Sequence, residues 1–251
     1  VPVKAPRQIL LSLSVAALAG VGLSACSSSQ PPDASKLLAT SQQEANNSYS
    51  VSYRLVATSK PTKANPHPDV ETIASELSPT TSVESVRFAS GNGDLDAKLV
   101  DGIVYFRGAA NILATALGLP TAAAQHYAGQ WISIPDTNPN FAAITGTLNL
   151  STQVGLLYPA GKVTIGPEQT FHGHQVWPLS GSSTPDVSRK AGVTRILIDE
   201  KTNLPVASGV VAINHNNQQF SEAASFLAWG GHVQVKAPTT SVPIDTALAY
   251  H

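Results

Sequence analysis

Residues 94–108 read DLDAKLV, then DG, then IVYFRG: two runs in which side chains alternate at period two, joined by Asp101-Gly102. Such alternation sends successive side chains to opposite faces of a strand, and an Asp-Gly pair supplies the positive φ that a two-residue hairpin turn demands. The chain is therefore committed to antiparallel β-structure here, and the signal recurs along its length. VESVRFAS precedes this hairpin across a turn at Gly91-Asn92-Gly93, and Tyr49 to Leu55 alternates in the same way. Further on, TRILIDEKTNLPVASGVVAI folds back around a polar turn from Asp199 to Asn203, and KVTIGPEQTF and QVWPLSG flank His172-Gly173-His174. FSEAASFLAWGGHVQVKAP reads as a closing strand, and residues 60–70, with three prolines, as a long loop.

Helical spacing is confined to the start and the middle. Asp33 or Ser35 can cap a helix running to about Asn47, with Leu37, Leu38 and Ala45 on a sparse apolar face. In AANILATALGL, Ile112, Leu113, Ala116 and Leu117 fall at helical spacing until Gly118 and Pro120 stop the helix. TAAAQHY continues as a short helix or turn, GQWISIP reads as a strand, and FAAI and LSTQVGLLY as two short helices. These middle helices carry few charges, so they need cover on several sides. The sum is an α+β domain with more antiparallel strands than helices, and a parallel doubly wound fold is disfavoured.

The N-terminal region carries a different message. Lys4 and Arg7 form a basic region, followed by an apolar stretch from Ile9 to Gly22 that is shorter than the ~20 residues of a membrane-crossing helix. Residues 1–25 read as an export signal. Leu23-Ser24-Ala25-Cys26 resembles the bacterial lipobox, in which the cysteine sulfur receives a diacylglycerol and the chain is cut before it. Cys26 is the single cysteine, so an exported product has no intramolecular disulfide. Residues 26–35 then form a lipidated, Ser/Pro-rich tether, residues 36–238 the domain, and residues 239–251 a loose tail. Two or three acyl chains hold a protein durably, since each buried methylene contributes ~0.8 kcal/mol. The expected location is the outer, periplasmic face of the cell membrane.

Charge excludes some functions. A net charge of −1 and a 12% charged fraction give no basic footprint for nucleic acid. No GxSxG, HExxH, P-loop or GxGxxG run occurs. His172 and His174 flank a hairpin glycine with no carboxylate or cysteine near in sequence, so no metal site is assigned. Asp69, Glu71 and Glu76, and Asp94 with Asp96, read as solvated charges at a loop or strand rim. The expectation is a non-enzymatic monomer without cofactor or metal.

The hairpins LVDGIVYFRG and ILIDEKTNLPVA, the segment YAGQWISIP after an apolar helix, and the closing FLAWGGHVQVKAP resemble the mycobacterial LppX/LprA/LprF/LprG lipoproteins, whose fold is shared with LolA and LolB. The resemblance implies a strongly curved antiparallel half-barrel with helices over its concave face and an apolar cavity between. It also implies a carrier that binds an acylated glycolipid or phospholipid, moves it between the inner membrane and the outer envelope, and works beside an envelope transporter. The lining expected on this basis is Leu99, Val104, Phe106, Ile112, Leu113, Leu117, Trp131, Ile134, Leu156 and Leu157. The alternative is a non-carrying adaptor or lipoprotein chaperone of the envelope.

Overall fold

In the computed structural model, residues 30–59, 70–88, 93–139, 141–184, 190, 192–213 and 219–250 are described. The expected export signal, Cys26 and the expected turn at Gly91-Asn92 lie outside them. Residues 31–251 form one compact unit.

Asp101 and Gly102 both adopt positive φ, 51° and 75°, and turn β4 (Asp94–Val100) into β5 (Ile103–Gly108) as the Asp-Gly pair requires. His172 and Gly173, at 47° and 84°, do the same between β8 (Gln169–Phe171) and β9 (His174–Ser182). Around these hairpins lie β1 (Val51–Ser59), β2 (Val70–Leu77), β3 (Thr81–Phe88), β6 (Ile132–Pro135), β7 (Ala160–Ile165), β10 (Val193–Asp199), β11 (Pro205–Ile213), β12 (Gln219–Trp229) and β13 (Val242–Pro243). All thirteen join one sheet, ordered β13-β6-β5-β4-β3-β2-β1-β12-β11-β10-β9-β7 with β8 beside β9. Every pairing is antiparallel except β13 with β6. The class is α+β with one large, mostly antiparallel sheet. It is neither closed nor strongly curled, which corrects the half-barrel expectation to an open sheet.

The helices are α1 (Ala34–Asn47), α2 (Ala110–Leu117), α3 (Thr121–His126), α4 (Phe141–Thr145), α5 (Leu150–Leu156) and α6 (Ile244–Leu248). Asp33 accepts the Lys36 amide at the start of α1, and Gly118 takes the left-handed conformation that ends α2. The Tyr158 hydroxyl donates to the Ser41 carbonyl at 3.0 Å in a buried contact that pins α1 to the end of α5.

Two apolar clusters form the core. The first joins Leu37 and Ala45 of α1 to Val51, Tyr53, Leu55, Leu179, Ile196 and Ala224. The second joins Leu113 and Leu117 of α2 to Ala97, Val104, Phe106, Ile132 and Ile134, with Ile244 and Ala247 of α6. Directly opposed residues of neighbouring strands share a face. Tyr53, Ser75, Glu84, Ala97, Phe106 and Ile132 are successive opposed partners from β1 to β6, so both clusters sit on the same face of the sheet.

Three expectations need correction. Residues 70–77 form a full strand, β2, where the loop and rim reading had left no element. The run KVTIGPEQTF breaks at Gly166-Pro167 into β7 and β8, because proline supplies no amide to a ladder. Residues 242–250 are packed rather than loose: Val242 pairs with Ile132, Ile244 and Ala247 are buried, and Tyr250 stacks on His126 at 4.3 Å.

Candidate functional site

The register brings most of the expected lining residues together. Leu99 of β4 opposes Val104 of β5, which opposes Ile134 of β6, and Phe106 lies one step along the same face. Leu113 and Leu117 pack on Val104, Phe106 and Ile134 in the second cluster, with Leu99 and Ile112 half-buried against it. Leu157 belongs to the first cluster, and Leu156 is half-buried at the end of α5.

Trp131 departs from this group. Its ring lies 5.1 Å from the Lys98 ammonium and 4.6 Å from the Arg107 guanidinium. Lys98 and Arg107 alternate with Leu99 and Phe106, so they occupy the face away from the helices. Ile132 and Ile134 take the buried face of β6, and an odd spacing sends Trp131 to the other side. Asp96, on that same outer face, is no simple solvated charge. It accepts from Arg107 at 2.6 Å, Arg87 at 2.8 Å and the Ser85 hydroxyl at 2.8 Å. Burial opposes its ionisation, but these hydrogen bonds hold its carboxyl below the usual range.

Between the two clusters the helix-side face changes character. One row of opposed residues runs Ile196, Ser208, Ala224, Leu55, Ile73, Val86 and Leu95 across seven strands. Ile73 and Leu95, with Ala57 and Phe88 in the neighbouring row, are only half-buried. Beside them stands Glu84, 5% exposed and accepting from the Ser75 hydroxyl at 3.2 Å. Burial pushes the Glu84 carboxyl up to about 7, with the Ser75 bond opposing and the charge of Glu71 adding. Burial likewise raises Glu71, helped by the charge of Glu222. Sequence reading missed this acidic band. Its signal was present: Glu71 lies at even spacing from Ile73, and Glu84 from Val86, so each shares its neighbour's face.

His174 Nδ1 lies 2.7 Å from Asp199 of the next strand, and among the described residues no three His, Cys, Asp or Glu side chains gather as a metal ion would need. Among the described residues, no helix is long and apolar enough to cross a membrane.

An open, mostly antiparallel sheet with its helices on one face defines the class of fold, and a solved structure shares it. The chain has the fold of LprF from Mycobacterium bovis, with a TM-score of 0.51 at 12% identity over 84% of this chain and 99% of that one. A LolA superfamily protein, NE2245 from Nitrosomonas europaea, is more distantly similar, with a TM-score of 0.30 at 8% identity over 78% and 92% of the two chains. No protein-family model matches the sequence. No curated protein matches it either.

Proposed function

We propose that this chain is a lipid-anchored protein of the cell envelope that binds an acylated glycolipid or phospholipid against the helix-side face of its sheet and carries it between the inner membrane and the outer envelope. The observation that carries the reading is the half-buried apolar row between the two clusters. Ile73, Leu95, Ala57 and Phe88 face the side on which the helices pack, yet the protein leaves them partly uncovered. Such surface costs about 25 cal/mol per Å² in water, and acyl chains laid along it would remove that cost for both partners. The shared fold with LprF and the lipobox-like segment ending in Cys26 point the same way. In this reading Leu99, Val104, Phe106, Ile112, Leu113, Leu117, Ile134, Leu156 and Leu157 form the walls at either end of the row. Cys26 carries the membrane anchor.

Native mass spectrometry of the protein isolated from its own membranes tests both parts. The expected spectrum shows a covalent diacylglycerol mass on Cys26 and a separate acyl-lipid adduct released on activation. A spectrum holding only the covalent mass would overturn carriage. A Cys26→Ala protein that stays in the membrane fraction would overturn the anchor.

A further inference from the structure

Between β12 and β13 the chain crosses the outer face of the sheet without joining it, and side chains of the sheet reach its carbonyls. The Ser50 hydroxyl donates to the Gly231 carbonyl, Thr81 to Val233 at 3.5 Å, the Lys98 ammonium to Lys236 at 3.2 Å and Ser133 to Val242 at 3.4 Å. Ser50 precedes β1 and the other three donors sit on β3, β4 and β6, so the segment is strapped across one end of the sheet. Their neighbours Val51, Ser82, Leu99 and Ile132 face the helices, which places all four donors on the opposite side. Burial alternates from His232 to Lys236, with Val233 and Val235 half-buried and the other three exposed, the period of an extended chain. Val233 and Val235 join neither apolar cluster.

The amides of this strap have no such partners. The N–H groups of Gly230 and Val242, at its two ends, donate to Ser50 and Trp131, but those of His232 to Lys236 find no acceptor among the described residues. In an extended chain the N–H and C=O of one residue point the same way and those of the next point the other way. With the Gly231 and Val233 carbonyls turned to Ser50 and Thr81, the N–H and C=O of His232 and Gln234 are turned away from those donors. They border a groove of about 380 Å³, walled across from them by Tyr49, Ser78 and Thr80. Lys236 is the one lysine, arginine or carboxylate among the described residues of this groove. A preset row of outward main-chain donors and acceptors is what an extended peptide pairs with when it adds a strand. Residues 231–241 contain no Asp or Glu, so a second copy of the strap would bring Lys236 no counter-charge.

We propose that the outward backbone of His232 and Gln234 pairs with an extended, acidic peptide segment of a partner protein, whose carboxylate meets Lys236. The strap lies on the face away from the helices, so this docking stands or falls independently of lipid carriage.

Selection of a displayed library of random heptapeptides on residues 31–251 tests this. Enriched peptides should be free of proline and carry Asp or Glu. Gln234→Pro deletes an outward amide that has no acceptor within the protein, so it should weaken these peptides about tenfold, the loss of one hydrogen bond, and leave the melting temperature unchanged. Gln234→Ala keeps the amide and should bind them as the natural protein does. Lys236→Glu, which leaves the backbone untouched, should also weaken them about tenfold. A library that yields no enriched peptide would overturn the proposal. So would enriched peptides without acidic residues, or peptides that bind Gln234→Pro and Lys236→Glu undiminished. A dimer in sedimentation that Gln234→Pro dissolves would assign the strap to a second copy of the chain and overturn the peptide partner.

Discussion

The two ends and the middle of one sheet face contrast sharply. At the β5–β6 end, Val104, Ile132 and Ile134 lie under α2 and α6 and are sealed from water, as is Leu113 above them. In the middle, on the same face and one to three strands from β5, Leu95, Phe88 and Ile73 are only half-covered, and Glu71 and Glu84 stand among them. Identical backbone pairing underlies both, so the hydrogen-bond ladder does not set the difference. What differs is how fully the face is covered: α2 and α6 seal the β5–β6 end, whereas β3 and β4 meet the short 3-10 turn Gly146–Leu148. The lesson is that the sealed ends carry the packing that stabilises the protein, while the middle keeps apolar surface only half-covered by the protein's own atoms.

The largest expected effect lies at the sealed end. Leu113→Ala removes a side chain that is 0% exposed and leaves a cavity between α2 and the sheet. A loss of about 2–5 kcal/mol is expected by urea unfolding. A loss under about 1 kcal/mol would mean that this end is as loosely filled as the middle, and the contrast would collapse.

Next is the acidic band. Glu84 keeps its proton up to about pH 7 in the folded protein, against 4.5 for the free group. The folded state therefore holds more protons between these values. The contribution to stability is complete below pH 4.5 and is lost as the pH rises to about 7, by on the order of 3 kcal/mol. Glu84→Gln, which cannot ionise, should abolish that share of the decline and be the more stable protein at pH 8. If the two proteins have parallel stability profiles from pH 4 to pH 8, Glu84 is hydrated and the middle of the face is wet rather than apolar.

The same contrast explains what was legible beforehand. The hairpins at Asp101-Gly102 and His172-Gly173, and helices α1 to α5, were readable because turn chemistry and apolar spacing are local. β2 was not, because its covered face carries Glu71 and Ser75 as well as Ile73 and Leu77, which blurs the alternation. Nor was α6, whose apolar contacts come from residues more than a hundred positions earlier in the chain. Val104, Phe106, Ile134, Leu113 and Leu117 come together in one cluster because strand parity and helix spacing agree there. Trp131 lies on the outer face, where parity counted from Ile134 places it. The pairing of His174 with Asp199, 25 residues away, depends on strand register and has no local signature.

The smallest stability change is expected from Ile73→Trp, and it bears most directly on the contrast. Forcing a larger side chain into a filled core costs about 1–3 kcal/mol through displaced neighbours. Ile73 is half-buried, between Leu55 and Val86 in the apolar row, and an indole there can extend over open surface. Unfolding free energy should therefore change by less than about 1 kcal/mol, while the acyl-lipid adduct in native mass spectra should fall, because the ring occupies the surface the chains would cover. A cost comparable to overpacking would show that the middle is already closed by the protein's own atoms. Unchanged stability with an undiminished adduct would leave the half-covered row intact but place the lipid elsewhere on the molecule.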